Sequence, residues 1–332
     1  MQARTVGTMS YESSSAIGVE RLEVSVALRL VGGLIRRYRA LPIKPFRSSL
    51  RAVFSRYQQL YRGKQLIAEV EGFKYEIDVD EMIDRAILFD GAFEPVTANA
   101  LKRLAPRGAT VLDIGANIGC HTCLLAKLVH PGKVIAFEPM PWARRKLLRN
   151  IALNGFENVI VESYALSDGK VPAMPTHFRS SWQMDSRTGQ TGENSVSCSP
   201  AVVDFITLDS YVAENSIGDI GLIKLDVDGY EAKILRGAAE TLRKFRPILV
   251  MEFCAYTLEA AGDGLPDVID LLDAVGYKIC REDNFLEFTT RKEILESVPA
   301  GSSINVVCSC EPVVKCRAMG KNTRALRGRS HS

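Results

Sequence analysis

The chain has little net charge and no long uninterrupted apolar run. Its 332 residues carry 42 Lys and Arg against 39 Asp and Glu, a net charge of +3, which is too small to indicate a nucleic-acid partner. The apolar stretch Val24–Ile35 is interrupted by Arg29 and is too short to span a bilayer. Residues 1–19 have no charged region leading into an apolar core, so we expect no secretory signal there. These absences favour a cytoplasmic protein that does not bind nucleic acid.

Cysteine is present, but its spacing does not predict a metal site. The eight cysteines include one C-x-x-C pair, Cys120 and Cys123, and no second such pair, so a zinc site would lack half of its ligands. A helix start lowers the pKa of a thiol, which leaves a thioredoxin-like site as a minor alternative. We expect ordinary thiols in a reducing compartment, and no metal.

The remaining pattern is an alternation of strands and helices. With 46% hydrophobic residues, the chain is long enough for one large core with appendages. Alternating strands and helices predict a mostly parallel sheet covered on both faces, with an antiparallel pair near residues 277–290 and 303–308. The other strands are expected near 110–114, 133–137, 158–163, 220–226 and 247–253, and the helices near 118–129, 140–154, 229–244 and 265–275.

A glycine turn follows the first of these strands. The segment Thr110–Gly119, TVLDIGANIG, joins an apolar strand to an acid, Asp113, and then to Gly115 and Gly119. Such a strand–turn–helix unit binds nucleotide-like ligands. The middle glycine of the dinucleotide fingerprint is missing, which weakens a nicotinamide-dependent reductase. An acid beside the turn suits a cationic or hydrogen-bond-donating ligand better than a phosphate.

A second acid ends the next strand. Residues 133–137, KVIAF, run into Glu138 and Pro139, and Pro139 ends the strand because it has no amide hydrogen for the ladder. A carboxylate at this strand tip can accept both hydroxyls of a ribose. The turn and Glu138 together predict a nucleoside-binding site.

The run VLDIGANIG…VIAFEP…NVIVESYALSD…LIKLDVDGYE…RPILVMEF resembles the FkbM family of S-adenosylmethionine-dependent methyltransferases over roughly residues 80–310. The resemblance implies a class I methyltransferase fold, Rossmann-like and doubly wound, with S-adenosylmethionine as cofactor and a hydroxyl of a sugar, glycan or secondary metabolite as acceptor. It implies that Glu138 holds the cofactor ribose and that Asp168 lies beside the adenine. The family's cofactor turn would comprise Asp113, Gly115, Asn117 and Gly119. One departure is Asp228, where the family pattern leads us to expect glutamate.

Two residues are candidates for the proton acceptor that a hydroxyl substrate needs. Asp226 follows the fourth strand, where the resemblance places it facing the methyl group; anchoring of cofactor or backbone is an equal alternative. His121 lies on the first turn after the glycines and titrates near neutrality, although a structural role is the more common one. Lys224 and Glu231 flank the same strand end, where they would orient substrate or pair with each other.

The less regular segments supply weaker candidates for the acceptor side. Residues 64–79 predict a hairpin turning at Glu71–Gly72, and residues 82–93 predict a helix in which Arg85 and Asp84 are substrate candidates or ordinary surface residues. Residues 170–200 interrupt the strand–helix alternation, and loops of this length are often functional. Trp182 within them is either a substrate platform or a packing anchor.

We expect three parts: an extension over residues 1–62, the methyltransferase domain over 63–312, and a basic tail over 313–332. The amphipathic segment 24–41 predicts a helix docked on the domain or lying on a membrane surface. The tail is expected to be disordered and solvated, or attracted to an anionic surface. Peripheral membrane contact is therefore the alternative to a purely cytoplasmic location.

Three functions remain open at this point. The first is an O-methyltransferase of the FkbM type. The second is a metal-dependent methyltransferase in which Asp226, Asp228 and Glu252 hold Mg²⁺ through their oxygens. The third is a non-catalytic or membrane-associated module that binds the cofactor without turnover.

Overall fold

The computed structural model describes residues 22–23, 66–177 and 200–313. The predicted helix over 24–41, Trp182 and the basic residues of the C-terminal tail lie outside the described residues. The strands, in chain order, are β1 (Leu22–Glu23), β2 (Leu66–Val70), β3 (Phe73–Ile77), β4 (Val111–Ile114), β5 (Val134–Phe137), β6 (Val159–Glu162), β7 (Ala165–Leu166), β8 (Val171–His177), β9 (Pro200–Ile206), β10 (Leu222–Leu225), β11 (Ile248–Phe253), β12 (Lys278–Arg281) and β13 (Ile304–Ser309).

The helices connect these strands in the order that the sequence predicts. They are α1 (Met82–Arg85), which continues as one π-helical turn over Ala86–Asp90, α2 (Pro95–Leu104), α3 (Cys120–Val129), α4 (Pro141–Asn154), α5 (Leu208–Glu214), α6 (Glu231–Arg236), α7 (Ala239–Phe245), α8 (Ala255–Ala260), α9 (Leu265–Asp273) and α10 (Arg291–Ser297). Among the described residues, no helix combines the length and apolarity needed to cross a bilayer.

A seven-stranded sheet organises the domain in the order β12-β13-β11-β10-β4-β5-β6. The pairs within β11-β10-β4-β5-β6 are parallel, whereas β13 runs antiparallel to both β11 and β12. The doubly wound class I methyltransferase fold is therefore confirmed, including its antiparallel last strand. Because the strand order reverses at β4, the carboxyl ends of β4 and β10 meet at the position where such sheets bind ligands.

The inner strands are apolar along their whole length because both faces of the sheet are covered. Every residue of β4, β5 and β10 is buried. Val111 and Val134 pack into the core on one face, while Leu112 and Ile135 pack into the core on the other. A continuous apolar run is the signature of a parallel sheet between two helix layers.

The predicted hairpin over 64–79 is formed by β2 and β3, which are antiparallel. It packs against α4, whose Asn150 and Asn154 side chains accept hydrogen bonds from the backbone N–H groups of Glu76 and Lys74, each at 2.8 Å. The helix α4 begins at Pro141 and ends before Gly155, which has a φ of +65°, as helix start and stop rules lead one to expect.

The prediction of a single helix over residues 229–244 is wrong in one respect, because the structure has two helices there, α6 and α7. The break falls at Gly237, where a Cβ atom would come within 2.1 Å of the Ser167 carbonyl oxygen. The close approach of the segment after β7 thus ends α6 and requires glycine there.

Candidate active site

The glycine turn after β4 is shaped by close approach of the next strands. The backbone N–H groups of Gly115 and Ala116 both donate to the Phe137 carbonyl, at 3.1 and 3.0 Å. Gly115 has a φ of +82°, and a Cβ there would lie 1.8 Å from the Asp226 carbonyl oxygen. Gly119 also has a positive φ, +90°, and a Cβ there would meet Leu147 at 2.4 Å. Neither position accommodates a side chain, so the close packing of the turn requires glycine at both.

Glu138 is held at the tip of β5 by backbone groups. Its two carboxylate oxygens accept the N–H groups of Asn117 and Met140, each at 2.8 Å, and the residue is 6% exposed. Arg144 donates to the Glu138 and Pro139 carbonyls. Burial raises the pKa of the Glu138 carboxyl to about 7, against the lowering effect of the two N–H groups. Because each carboxylate oxygen has a second lone pair, two ligand hydroxyls can still be accepted.

Asp113 lies in β4 and is fully buried. One oxygen accepts the Thr122 hydroxyl at 2.5 Å, and the other lies 4.0 Å from the Lys224 ammonium. Asp113 is not among the residues that line the cavity described below. Asp113 therefore supports the predicted cofactor turn from beneath and does not itself face the cavity.

Lys224 lies between the carboxylates of two neighbouring strands, Asp113 in β4 and Asp226 after β10. Its ammonium donates to the Asp226 carboxylate at 3.0 Å and is 4% exposed. The carboxylates of Asp226, Asp113 and Glu94 together hold the pKa of Lys224 above its usual range, even though burial opposes the charge. The lysine pairs with Asp226 in place of Glu231, so the suggested Lys224–Glu231 pair is wrong.

A cavity of about 450 Å³ opens above these strand ends. We call its two ends the Glu138 end, where Glu138 and Tyr164 lie, and the Asp226 end, where Lys224, Asp226 and His121 lie. Residues that line the cavity come from every strand tip in the middle of the sheet and include Gly115, Ala116, Asn117, Ile118, Cys120, Met140, Trp142, Ala165, Leu166, Phe205, Val227, Asp228, Tyr230 and Thr257.

His121 faces the Asp226 end. The residue is 5% exposed, and burial together with the Lys224 charge holds its pKa well below the usual range. Its Nε2 lies 3.9 Å from the Glu94 carboxylate, and its ring packs against Phe93 with centroids 5.8 Å apart. The imidazole is therefore neutral at pH 7 and is a weaker base than a free histidine.

Besides Asp113 and Gly119, the predicted candidates Asp168, Glu231, Asp84 and Arg85 lie away from the cavity lining. Asp168 pairs with Arg236 at 3.1 Å, although Ala165 and Leu166 just before it do line the cavity. Glu231 is 2% exposed and accepts the N–H of Val227 at 3.1 Å, so it fixes its own turn.

On α1, Asp84 is fully buried and accepts Lys146 and the Asp78 N–H. Arg85 is half-buried near Asp80 and Glu81, and Ile83 is the residue of α1 that lines the cavity.

The aromatic residues of the cavity and Glu94 were not among the residues predicted from the sequence. Trp142, Tyr164, Tyr230 and Phe93 line the cavity. A signal was available for Trp142, which stands four residues after Glu138, and for Tyr164, which stands two residues after the end of β6. Glu94 gives no local signal, since it reaches the site from the segment before α2.

The C-x-x-C pair does not behave as a redox site. Burial raises the pKa of the Cys123 thiol to about 12 and that of Cys120 well above its usual range. The helix start that follows the glycine turn does not offset this burial. Among the described residues, no three His, Cys, Asp or Glu side chains are grouped so as to hold a metal ion.

A family model described as the methyltransferase FkbM domain matches residues 113–279, which are half of the chain and include most of the residues that line the cavity. The chain belongs to the FkbM methyltransferase family. Membership confirms that the protein is a methyltransferase, and S-adenosylmethionine is its cofactor.

Relatives with named activities are distant. The hexuronic acid methyltransferase AglP of Haloferax volcanii is 26% identical over 188 residues, 56% of this chain and 73% of the relative. The 2-O-methyltransferase NoeI of Sinorhizobium fredii is 26% identical over 174 residues, 49% of this chain and 70% of the relative. The crystal structure of an FkbM methyltransferase from Methylobacillus flagellatus has a TM-score of 0.36 and 17% identity, with 61% of this chain and 43% of that chain covered.

Proposed function

We propose that this FkbM methyltransferase transfers the methyl group of S-adenosylmethionine to a hydroxyl of a sugar, a glycan or a hydroxylated secondary metabolite. The observation that carries this proposal is the Asp226 carboxylate, which lines the cavity beside the glycine turn and is held by Lys224 at 3.0 Å. The printed names of the two relatives, a hexuronic acid methyltransferase and a 2-O-methyltransferase, favour an oxygen acceptor on a carbohydrate.

The described residues fit the cofactor. Gly115, Ala116 and Asn117 of the turn line the cavity, the buried Asn117 Oδ1 and His121 Nε2 have no hydrogen-bond partner within the described part of the chain, and Glu138 has lone pairs for two ribose hydroxyls. Ala165 and Leu166 would flank the adenine at the Glu138 end. When bound, S-adenosylmethionine supplies a methyl group already activated by its positive sulfur.

The chain's own contribution is orientation, exclusion of water and acceptance of a proton. Holding acceptor and donor in line can account for much of the rate increase. Asp226 is the proposed proton acceptor, because its carboxylate reaches the cavity, is 23% exposed in its side chain and is fixed by Lys224. His121 is a poorer choice, since burial lowers its pKa.

The test is methyl transfer from radiolabelled S-adenosylmethionine to neutral hexoses, uronic acids and hydroxylated metabolites. Labelled product that survives mild alkali is a methyl ether and supports hydroxyl methylation, whereas label released by alkali is a methyl ester and contradicts it. Asp226→Asn should lower kcat about 10²–10⁴-fold, the usual contribution of a general base, and leave binding of S-adenosylhomocysteine within a few fold.

The non-catalytic module has no observation in its favour now that the family is shown. Contact with a membrane surface through residues 24–41 or the basic tail remains a proposal, because these segments lie outside the described residues. Vesicles containing anionic lipid, sedimented with the full chain and with a chain ending at residue 312, would test the tail directly.

A further inference from the structure

Two hydrogen-bond acceptors face each other at the Asp226 end without a donor between them. The Glu94 Oε2 and His121 Nε2 atoms are buried, and neither finds a hydrogen-bond partner among the described residues. They lie 3.9 Å apart, which is too far for a direct hydrogen bond. A buried polar atom left unpartnered is costly, so this gap calls for a donor from outside the chain.

The protonation state of His121 sharpens this requirement. Burial, and then the charge of Lys224, lower its pKa, and the ring is hydrogen-bonded to the backbone of Phe93. With its other nitrogen engaged by a backbone group, Nε2 presents a lone pair. The facing Glu94 oxygen is also an acceptor when ionised, so the gap is lined by two groups that attract a proton donor.

Glu94 is held in this position at a conformational cost. Its backbone has φ +45° and ψ +70°, a left-handed conformation that side-chain-bearing residues rarely adopt. The Asn305 side chain on β13 donates to the Thr97 hydroxyl at 3.0 Å and lies close enough to the Glu94 carboxyl to lower its pKa, so a strand distant in sequence packs beside Glu94. Strained residues fixed by their surroundings are concentrated at ligand sites.

The gap adjoins the cavity, because His121 and Phe93, the residue before Glu94 in the chain, both line the cavity. The charges that act most strongly on the Glu94 carboxyl are those of Asp226, Lys224 and Glu282, which include more negative than positive groups. This setting suits a cation with several N–H donors better than a neutral hydroxyl, which has only one donor.

We propose that Glu94 and His121 bind the α-ammonium group at the methionine end of S-adenosylmethionine. This inference rests on the proposed placement of the cofactor with its ribose at Glu138. An ammonium nitrogen has three N–H donors and can therefore bond Glu94 Oε2 and His121 Nε2 together. Glu94, which comes from outside the glycine turn and outside the residues 113–279 matched by the family model, would then complete the cofactor site.

The experiment compares two ligands in calorimetric titrations of the full chain. S-Adenosylhomocysteine carries the ammonium, whereas 5′-methylthioadenosine has the same adenine and ribose but lacks the amino-acid end. Glu94→Gln should raise the Kd of S-adenosylhomocysteine about 10- to 100-fold, the range for a charge-assisted hydrogen bond, and change the Kd of 5′-methylthioadenosine less than about twofold.

Glu282→Gln is the matched control. Glu282 is a nearby carboxylate, 9% exposed, that also senses the Lys224 charge but has no contact with His121 in the described structure. Its replacement removes a similar charge and should leave the preference between the two ligands nearly unchanged.

Each other outcome overturns the proposal in a recognisable way. Unchanged binding of both ligands by Glu94→Gln would remove Glu94 from the cofactor site. An equal loss of affinity for both ligands in Glu94→Gln would assign Glu94 a structural role. If Glu282→Gln lost as much affinity for S-adenosylhomocysteine as Glu94→Gln, the effect would come from the net negative charge of the site and not from a contact with Glu94. Failure of the unmutated protein to bind either ligand would instead refute the cofactor placement on which the proposal rests.

Discussion

The two ends of the cavity are built in different ways. At the Glu138 end, backbone N–H groups of Asn117 and Met140 hold the carboxylate, and these groups belong to the turns that follow the neighbouring strands β4 and β5. At the Asp226 end, side chains hold each other: Lys224 holds Asp226 and Thr122 holds Asp113. The Glu138 end therefore depends on the path of the sheet backbone, and the Asp226 end depends on a balance of buried charges. Single substitutions should affect the two ends differently.

The largest effect is expected at Lys224. Lys224→Met leaves Asp113 and Asp226 without their shared cation, and breaking a buried ion pair from one side costs about 3–5 kcal/mol. Urea unfolding should show that loss. Lys170→Met is the control, since its pair with Glu214 is exposed at 64% and 61% of the two side chains and should cost less than about 1 kcal/mol. Equal losses in the two variants would contradict the buried charge balance.

A rescue variant sharpens this result. Adding Asp113→Asn to Lys224→Met removes the fully buried carboxylate that has lost its partner and keeps an oxygen for the Thr122 hydroxyl. The double variant should be more stable than Lys224→Met alone. A double variant that is less stable would show that Asp113 contributes through something other than its charge.

Gly115, where the two ends meet, should be the next most sensitive position. Gly115→Ala would place a Cβ 1.8 Å from the Asp226 carbonyl oxygen, at a φ of +82°, so the strand tip has to move. We expect a loss of about 3 kcal/mol or more in stability together with loss of S-adenosylhomocysteine binding.

Gly155→Ala is the control that measures the cost of a positive φ alone, without a steric contact such as the one between position 115 and the Asp226 carbonyl. Gly155 has a φ of +65° and nothing within 4 Å of the added Cβ, so its replacement should cost only about 1–2 kcal/mol. A similar cost for Gly115→Ala and Gly155→Ala would mean that the glycine turn can relax away from β10.

The difference between the two ends of the cavity also explains which parts of the site could be predicted from the sequence. The strands, the turn and Glu138 follow from local pattern, because apolar runs, glycines and an acid at a strand tip are adjacent in the chain. Glu94 and Asn305 reach the Asp226 end from segments far apart in sequence, and their proximity depends on how β13 and the segment before α2 pack. No local signal encodes that contact.

Asp168 and Glu231 illustrate a second limit of sequence reasoning. Both are acids next to cavity-lining segments, yet Asp168 is paired with Arg236 and Glu231 holds its own turn at Val227. Their sequence positions lie beside segments that line the cavity but could not give the direction of the side chain, which is set by Arg236 for Asp168 and by the Val227 N–H for Glu231. Their roles as ligand contacts stay predictions.

The smallest and most specific effect should be the pH dependence at the Glu138 end. Burial raises the pKa of Glu138 to about 7, and ribose hydroxyls donate to its ionised form, so affinity for 5′-methylthioadenosine should rise with pH between about 6 and 8. The rise is limited to about tenfold per pH unit below the pKa, because one proton is released. The ligand lacks an ammonium group, so the measurement does not involve the proposed Glu94 contact.

Glu138→Gln should remove this pH dependence and keep the weak binding of the protonated form at all pH values. The ligand-free protein should show the opposite sign for stability. Since the folded pKa of Glu138 is raised from 4.5 to about 7, its contribution is fully present below the lower value and is lost as pH rises through the upper one. Affinity that is flat with pH in the unmutated protein, measured by calorimetry, would mean that Glu138 is already ionised and that its backbone N–H donors outweigh burial.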